Sequence, residues 1–158
     1  KRGWGGLMNT TNDSIDDIAA ITPTPGVKLA GGLTILSGFI SGVLALQAGT
    51  LLGARGVYRL SEPLFALLGL ACLVSGFRLT RMRAGSARWA TVAAALACVS
   101  GLVWFVMTLQ AGVFVLMALG LVPLASIATI AGLASLKPVE RAAAARRRLR
   151  EQGLDSGL

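Results

Sequence analysis

Residues 89–136 read WATVAAALACVSGLVWFVMTLQAGVFVLMALGLVPLASIATIAGLASL, a stretch without a single charged side chain. At ~1.5 Å per residue, one helix over this stretch would be on the order of 70 Å long, more than twice the ~30 Å hydrocarbon core of a bilayer. The stretch must therefore fold back on itself as two spans. Gln110-Ala111-Gly112 is the segment suited to the turn, so we predict spans at 89–110 and 112–136.

Two more apolar runs precede this stretch, at 27–48 and 63–79. The composition agrees with a membrane protein, because 54% of the residues are hydrophobic and only 14% are charged, against about 25% charged residues in soluble domains. We therefore predict an all-α membrane protein. Its transmembrane domain, residues 27–136, is a four-transmembrane-helix bundle made of two helical hairpins.

The two ends of the chain differ from this apolar domain. Residues 1–26 form a polar N-terminal segment that we expect to be partly disordered, and Thr22-Pro23-Thr24-Pro25-Gly26 breaks any helix there. Residues 137–158 form a basic tail that we predict to be helical. Pro138 suits a first helical position and Gly153 suits a stop.

The basic residues predict the orientation in the membrane. Of the 15 Lys and Arg residues, 13 fall in the N-terminal segment, at the start of the first span, in the loop between spans two and three, or in the tail. The positive-inside rule places this side in the cytoplasm. We therefore predict a multi-pass protein of the cell (plasma or inner) membrane with both termini cytoplasmic. Abundant Arg, Ala and Gly favour a bacterial source.

Few residues are suited to chemistry. The chain has no histidine, and its two cysteines, Cys72 and Cys98, lie inside apolar runs. We expect no catalytic residues, no cofactor and no metal site, and hence a protein that is not an enzyme. The net charge of +8 is compatible with nucleic-acid binding, but the basic residues flank the spans and no aromatic residues alternate with them. We therefore expect no nucleic-acid partner.

Small residues recur along the spans and predict close helix packing. Gly38-x-x-x-Gly42 in the first span is the familiar packing motif. Gly69 and Gly76 in the second span, and Gly101 in the third, are further candidates. A contact between two copies of the chain, or a polar lining built from serines of the first span, is the alternative interpretation of this pattern.

Two other features of the spans are candidates for function. Pro123 lies inside the fourth predicted span and should kink it. Arg55, Arg59 and Glu62 cluster at the side opposite to the basic one. Charges at the bilayer centre are costly, so these residues form either an interfacial anchor or a wet pocket at the outer mouth of a transporter.

The tail carries the strongest charge. We expect Arg146, Arg147, Arg148 and Arg150 to contact anionic lipid headgroups, with a solvated basic helix as the alternative. The predicted partners are thus the lipid bilayer, anionic headgroups and either a second copy or a partner membrane protein. The function that these features favour is a non-enzymatic membrane subunit of assembly, regulatory or scaffolding type. The alternative is a small homo-oligomeric transporter or channel.

Overall fold

The computed structural model describes residues 16–51, 60–107 and 113–151, and it describes side chains at 16–48, 60–106 and 119–151. All regular structure in these residues is helical. A short helical segment at 16–21 precedes five longer helices. They are α1 (Pro25–Leu51), α2 (Ser61–Thr80), α3 (Ser86–Met107), α4 (Val113–Ala134) and α5 (Leu136–Glu151).

Three helical stretches are long and apolar enough to cross a membrane: Asp16–Ala48, Ser61–Thr80 and Ser86–Val106. A fourth candidate is the pair Leu119–Ala134 and Leu136–Glu151, whose axes differ by 44°. The chain thus has three to four candidate spans, which is compatible with a multi-pass membrane protein. The predicted turn at Gln110-Ala111-Gly112 lies outside the described residues.

Prolines and a tight turn set several helix ends. Pro25 is the first residue of α1, where its missing N–H needs no partner, so the helix-free linker is shorter than predicted. Between α2 and α3, the amides of Met82 and Arg83 donate to the carbonyls of Leu79 and Arg78. Met82 has a left-handed φ of 47°. This is the Schellman pattern that closes a helix C-terminus.

The junction of α4 and α5 differs from the prediction. The predicted span continued to 136, but α4 ends at Ala134 and α5 begins at Leu136, two residues before Pro138. Pro138 has no N–H to donate to the carbonyl of Ala134, and its ring crowds that carbonyl. One continuous helix therefore breaks at Ser135, whose amide and hydroxyl both donate to the carbonyl of Ala131.

The distribution of side chains is the reverse of that in a soluble protein. Large apolar side chains such as Phe39, Leu67 and Ile130 are about two-thirds exposed. The buried interior holds many alanines and also small polar residues such as Thr34 and Ser37. A soluble monomer rarely exposes such extended apolar surface, whereas helices in lipid place their small residues against one another.

The helices pair as antiparallel neighbours. α1 packs most extensively on α2, and α3 on α4, while α1 with α4 and α2 with α3 make smaller contacts. Of the neighbouring pairs, α2 and α3 contact each other least. One buried cluster lies toward the end that holds Phe65 and Trp104, whose rings meet edge to face at 5.5 Å. A second cluster lies at the opposite end, beneath α5.

Candidate functional site

Helix α5 is docked onto one end of the other helices. Its residues Val139, Ala142, Ala145 and Leu149 are all at least 97% buried, and they recur every three or four positions on one face. Val139 and Ala142 belong to the buried cluster beneath α5. The charge of the tail was predicted from the sequence, but this apolar stripe was not. The stripe fixes α5 in place, so the arginines between its residues have defined positions.

Arg146 ties α5 to the turn between α2 and α3. Its guanidinium donates to the carbonyl of Met82 at 3.2 Å and to that of Arg81 at 3.3 Å. These carbonyls follow the C-terminus of α2, where the helix dipole favours a positive charge. The buried side chain of Met82 packs in the cluster beneath α5. The turn is thus held by an apolar contact and a cation together.

Two ion pairs add to this end of the molecule. Arg88 of α3 donates to the Oε1 atom of Glu140 at 2.8 Å, with both side chains more than half exposed. An Nη atom of Arg148 lies 3.9 Å from Oδ1 of Asp17, which precedes α1. An exposed pair such as Arg88–Glu140 contributes at most ~1 kcal/mol, whereas the Asp17 side chain of the second pair is largely buried. The two pairs place the segment before α1, the start of α3 and the helix α5 at the same end of the molecule.

Arginines gather around a cavity of about 500 Å³ at this end, which we call the arginine pocket. Its lining residues come from the end of α2, the turn and α5. They are Arg78, Arg83, Ala84, Ala143, Arg146, Arg147 and Arg150. No carboxylate is among these lining residues, so an anion that enters the pocket meets positive charge from several sides. Arg147 and Arg148, which we expect to contact anionic lipid headgroups, are exposed.

The predicted cluster at the opposite end is only partly visible. Arg55 and Arg59 lie outside the described residues. Glu62 is exposed in the first turn of α2, where a carboxylate interacts favourably with the helix dipole. Among the described residues, no group of three or more His, Cys, Asp or Glu side chains could hold a metal ion.

The predicted packing glycines have unequal surroundings. A Cβ atom added to Gly38 would lie 2.8 Å from the carbonyl oxygen of Gly69, and one added to Gly69 would lie 2.9 Å from that of Gly38. Gly76 stands in the same relation to Gly31, with 2.9 Å to its carbonyl oxygen. A Cβ on Gly42 would meet nothing within 4 Å.

These glycines form two facing pairs, Gly38 with Gly69 and Gly31 with Gly76, with a spacing of seven residues on each helix. The backbones of α1 and α2 therefore touch directly. Gly31 was not predicted from the sequence, although the equal spacing of Gly31–Gly38 and Gly69–Gly76 indicates it.

In the other hairpin, the glycines face mainly side chains of the partner helix rather than its backbone. A Cβ on Gly101 of α3 would lie 3.2 Å from Val122 of α4. Helix α4 continues through Pro123, and next to it the Sγ atom of Cys98 lies 3.2 Å from the hydroxyl oxygen of Ser126. Ser126 also donates to the carbonyl of Val122 at 2.7 Å. This polar contact joins α3 and α4 at the position where proline interrupts the backbone hydrogen bonding.

Comparison of the chain with protein-family models, with curated proteins and with solved structures finds no match.

Proposed function

We propose that this chain is a non-enzymatic integral membrane subunit of assembly, regulatory or scaffolding type, which acts through helix packing and an arginine-rich cytoplasmic end. The observation that carries the proposal is the docking of α5. Its buried stripe, Val139 to Leu149, and the bonds from Arg146 to the α2–α3 turn hold the helix backbone that carries the remaining arginines in place. A rigid cationic surface is suited to recognising an acidic partner surface.

The proposal includes a topology of four spans, α1 to α4, arranged as a bundle of two hairpins. Helix α4 has 22 residues, which at ~1.5 Å each cross a ~30 Å core without help from α5. Each arginine of α5 would cost ~2.5–3.5 kcal/mol at the bilayer centre, so α5 lies outside the membrane. An even number of spans places both termini on one side, and the positive-inside rule makes that side cytoplasmic.

The interior of the helices supports a structural role over a transport role. The hydroxyls of Thr34, Ser37 and Ser41 donate to carbonyls of their own helix at 2.8–2.9 Å. They are therefore satisfied without water or a bound solute. The facing glycine pairs leave no gap between α1 and α2 at those positions. The transporter alternative depends on Arg55, Arg59 and Glu62. The position of the exposed Glu62 is already explained by its favourable interaction with the dipole at the N-terminus of α2.

A membrane subunit must form an assembly in the membrane where it is made. We expect native electrophoresis of a mild-detergent extract to place the full chain in a complex larger than the detergent-solubilised monomer. Replacing Arg147 and Arg148 with Gln should return it to the monomer position, because both side chains are exposed and Arg148 is held only by a 3.9 Å contact with Asp17. Arg141→Gln, at another exposed position of the same helix, is the control.

The outcomes separate the two functions. Mass spectrometry of the larger band distinguishes a second copy of this chain from a partner membrane protein. A monomer in native membranes would contradict the subunit proposal. Solute flux in proteoliposomes that is lost on Glu62→Gln would instead favour the transporter.

A further inference from the structure

An apolar groove runs between α2 and α3. Of the four adjacent pairs formed by α1 to α4, this pair has the smallest contact. It has a volume of about 290 Å³, and its lining on α2 includes Leu68, Ala71, Val74 and Arg78. Trp89 lies on the α3 side of the same groove and is 69% exposed. The walls are almost entirely apolar, and the cationic side chain of Arg78 is among the lining residues.

The length of this groove matches one leaflet of a bilayer. Leu68 and Arg78 are ten residues apart on one helix, a rise of ~15 Å, which is half of a ~30 Å hydrocarbon core. Exposed tryptophan is typical of the membrane–water interface, so Trp89 marks the level of the lipid headgroups. The apolar part of the groove then lies at the depth of the acyl chains.

Arg78 also lines the arginine pocket, so the groove and the pocket meet at this residue. Arg83, Arg147 and Arg150 surround the pocket beyond it, and no carboxylate is among the pocket's lining residues. Guanidinium groups bind phosphate through two parallel hydrogen bonds. An apolar slot of leaflet length that ends in a cluster of arginines is complementary to a molecule with an acyl chain and a phosphate.

We infer that the α2–α3 groove binds one anionic phospholipid, with an acyl chain along Leu68, Ala71 and Val74 and with its phosphate held by Arg78 and the arginine pocket. This inference rests on the proposed topology, which places the arginine end at the cytoplasmic leaflet. It does not need the subunit function. The bound lipid would fill the groove between α2 and α3 and neutralise arginines that α5 brings close to Arg78.

The test is native mass spectrometry of the full chain in mild detergent, titrated with phosphatidylglycerol or with phosphatidylcholine of the same acyl chains. We expect one phosphatidylglycerol per chain to bind in preference to phosphatidylcholine. Arg78→Gln should weaken this binding roughly fivefold, the factor that corresponds to ~1 kcal/mol per arginine near a membrane surface. Arg141→Gln removes the same charge from the same end but lies outside the groove and the pocket, so it should leave binding unchanged.

Two further arms separate the acyl chain from the headgroup. Ala71→Phe, an exposed position in the groove, should abolish the single bound lipid, and Val92→Phe on the opposite wall should do the same if the first variant melts early. Glycerol 3-phosphate, which lacks acyl chains, should not displace the lipid. The inference would be overturned if Arg78→Gln and Arg141→Gln weakened lipid binding equally. It would also be overturned if both groove-filling variants bound the lipid unchanged, or if phosphatidylcholine bound as well as phosphatidylglycerol. Loss of lipid with an intact native complex would leave the subunit proposal standing.

Discussion

Gly38→Ala should destabilise the protein, whereas Gly42→Ala should not, although the two glycines lie one turn apart on α1. The new Cβ at Gly38 would lie 2.8 Å from the carbonyl oxygen of Gly69 and 2.9 Å from the amide nitrogen of Leu73. Both are backbone atoms, which cannot rotate away. The helices must separate by about half an ångström to restore ordinary contact, and overpacking of this kind costs ~1–3 kcal/mol.

Gly42 provides the matched control. A Cβ there meets nothing within 4 Å, and both substitutions gain the same helix propensity, ~0.5–1 kcal/mol. The difference between the two variants therefore isolates the interhelical contact. We expect unfolding in mixed micelles, followed by circular dichroism, to separate them by ~1–3 kcal/mol. Equal unfolding midpoints for both variants would refute the glycine contact between α1 and α2.

Two predictions concern α5. Leu149→Ala should weaken docking by about 2 kcal/mol, because Leu149 is 98% buried. The hydrogen-exchange rate of the α5 amides should then rise roughly thirtyfold. No rise relative to the exposed control Arg141→Ala would count against the docked helix. Arg146→Lys should cost about 1 kcal/mol of stability, measured by thermal unfolding in detergent, because an ammonium group cannot span two carbonyls as a guanidinium does. The control Arg148→Lys should leave the stability unchanged. Equal losses of stability in the two variants would show that only the charge of Arg146 matters.

The candidate spans could be predicted from the sequence because the bilayer imposes a strong local rule. Charges are excluded from each apolar run, so the helical segments follow from the positions of Arg, Lys, Asp and Glu. The ends were less exact. Pro138 was expected at the first position of the tail helix, but the break falls at Ser135, since proline acts on the carbonyl four residues before it.

Helix packing could be predicted only as a tendency. Gly38, Gly69 and Gly76 were among the predicted packing residues and lie in the closest backbone contacts. Gly31 completes these contacts and was not predicted, whereas a Cβ on the predicted Gly42 would meet nothing within 4 Å. Which face of α1 meets α2 depends on the position of the partner helix, and that information is not contained in one motif.

The arginine end was predicted as a basic helix, but its docking onto the other helices was not predicted. The buried stripe of α5 includes two alanines, which carry little hydrophobic signal among six basic residues. Arg146 acts on carbonyls 64 and 65 positions earlier in the chain, and sequence spacing gives no indication of such a contact.

The proposed topology has four spans and an arginine-rich end in the cytoplasm. The most direct test is a set of fusions to alkaline phosphatase, which is active only after export, and to a fluorescent protein that is active only in the cytoplasm. Fusions after Ser86 and after Leu158 should fluoresce, and a fusion after Gln110 should have phosphatase activity. Phosphatase activity after Leu158 would contradict the account, because it would place α5 and its arginines outside the cell.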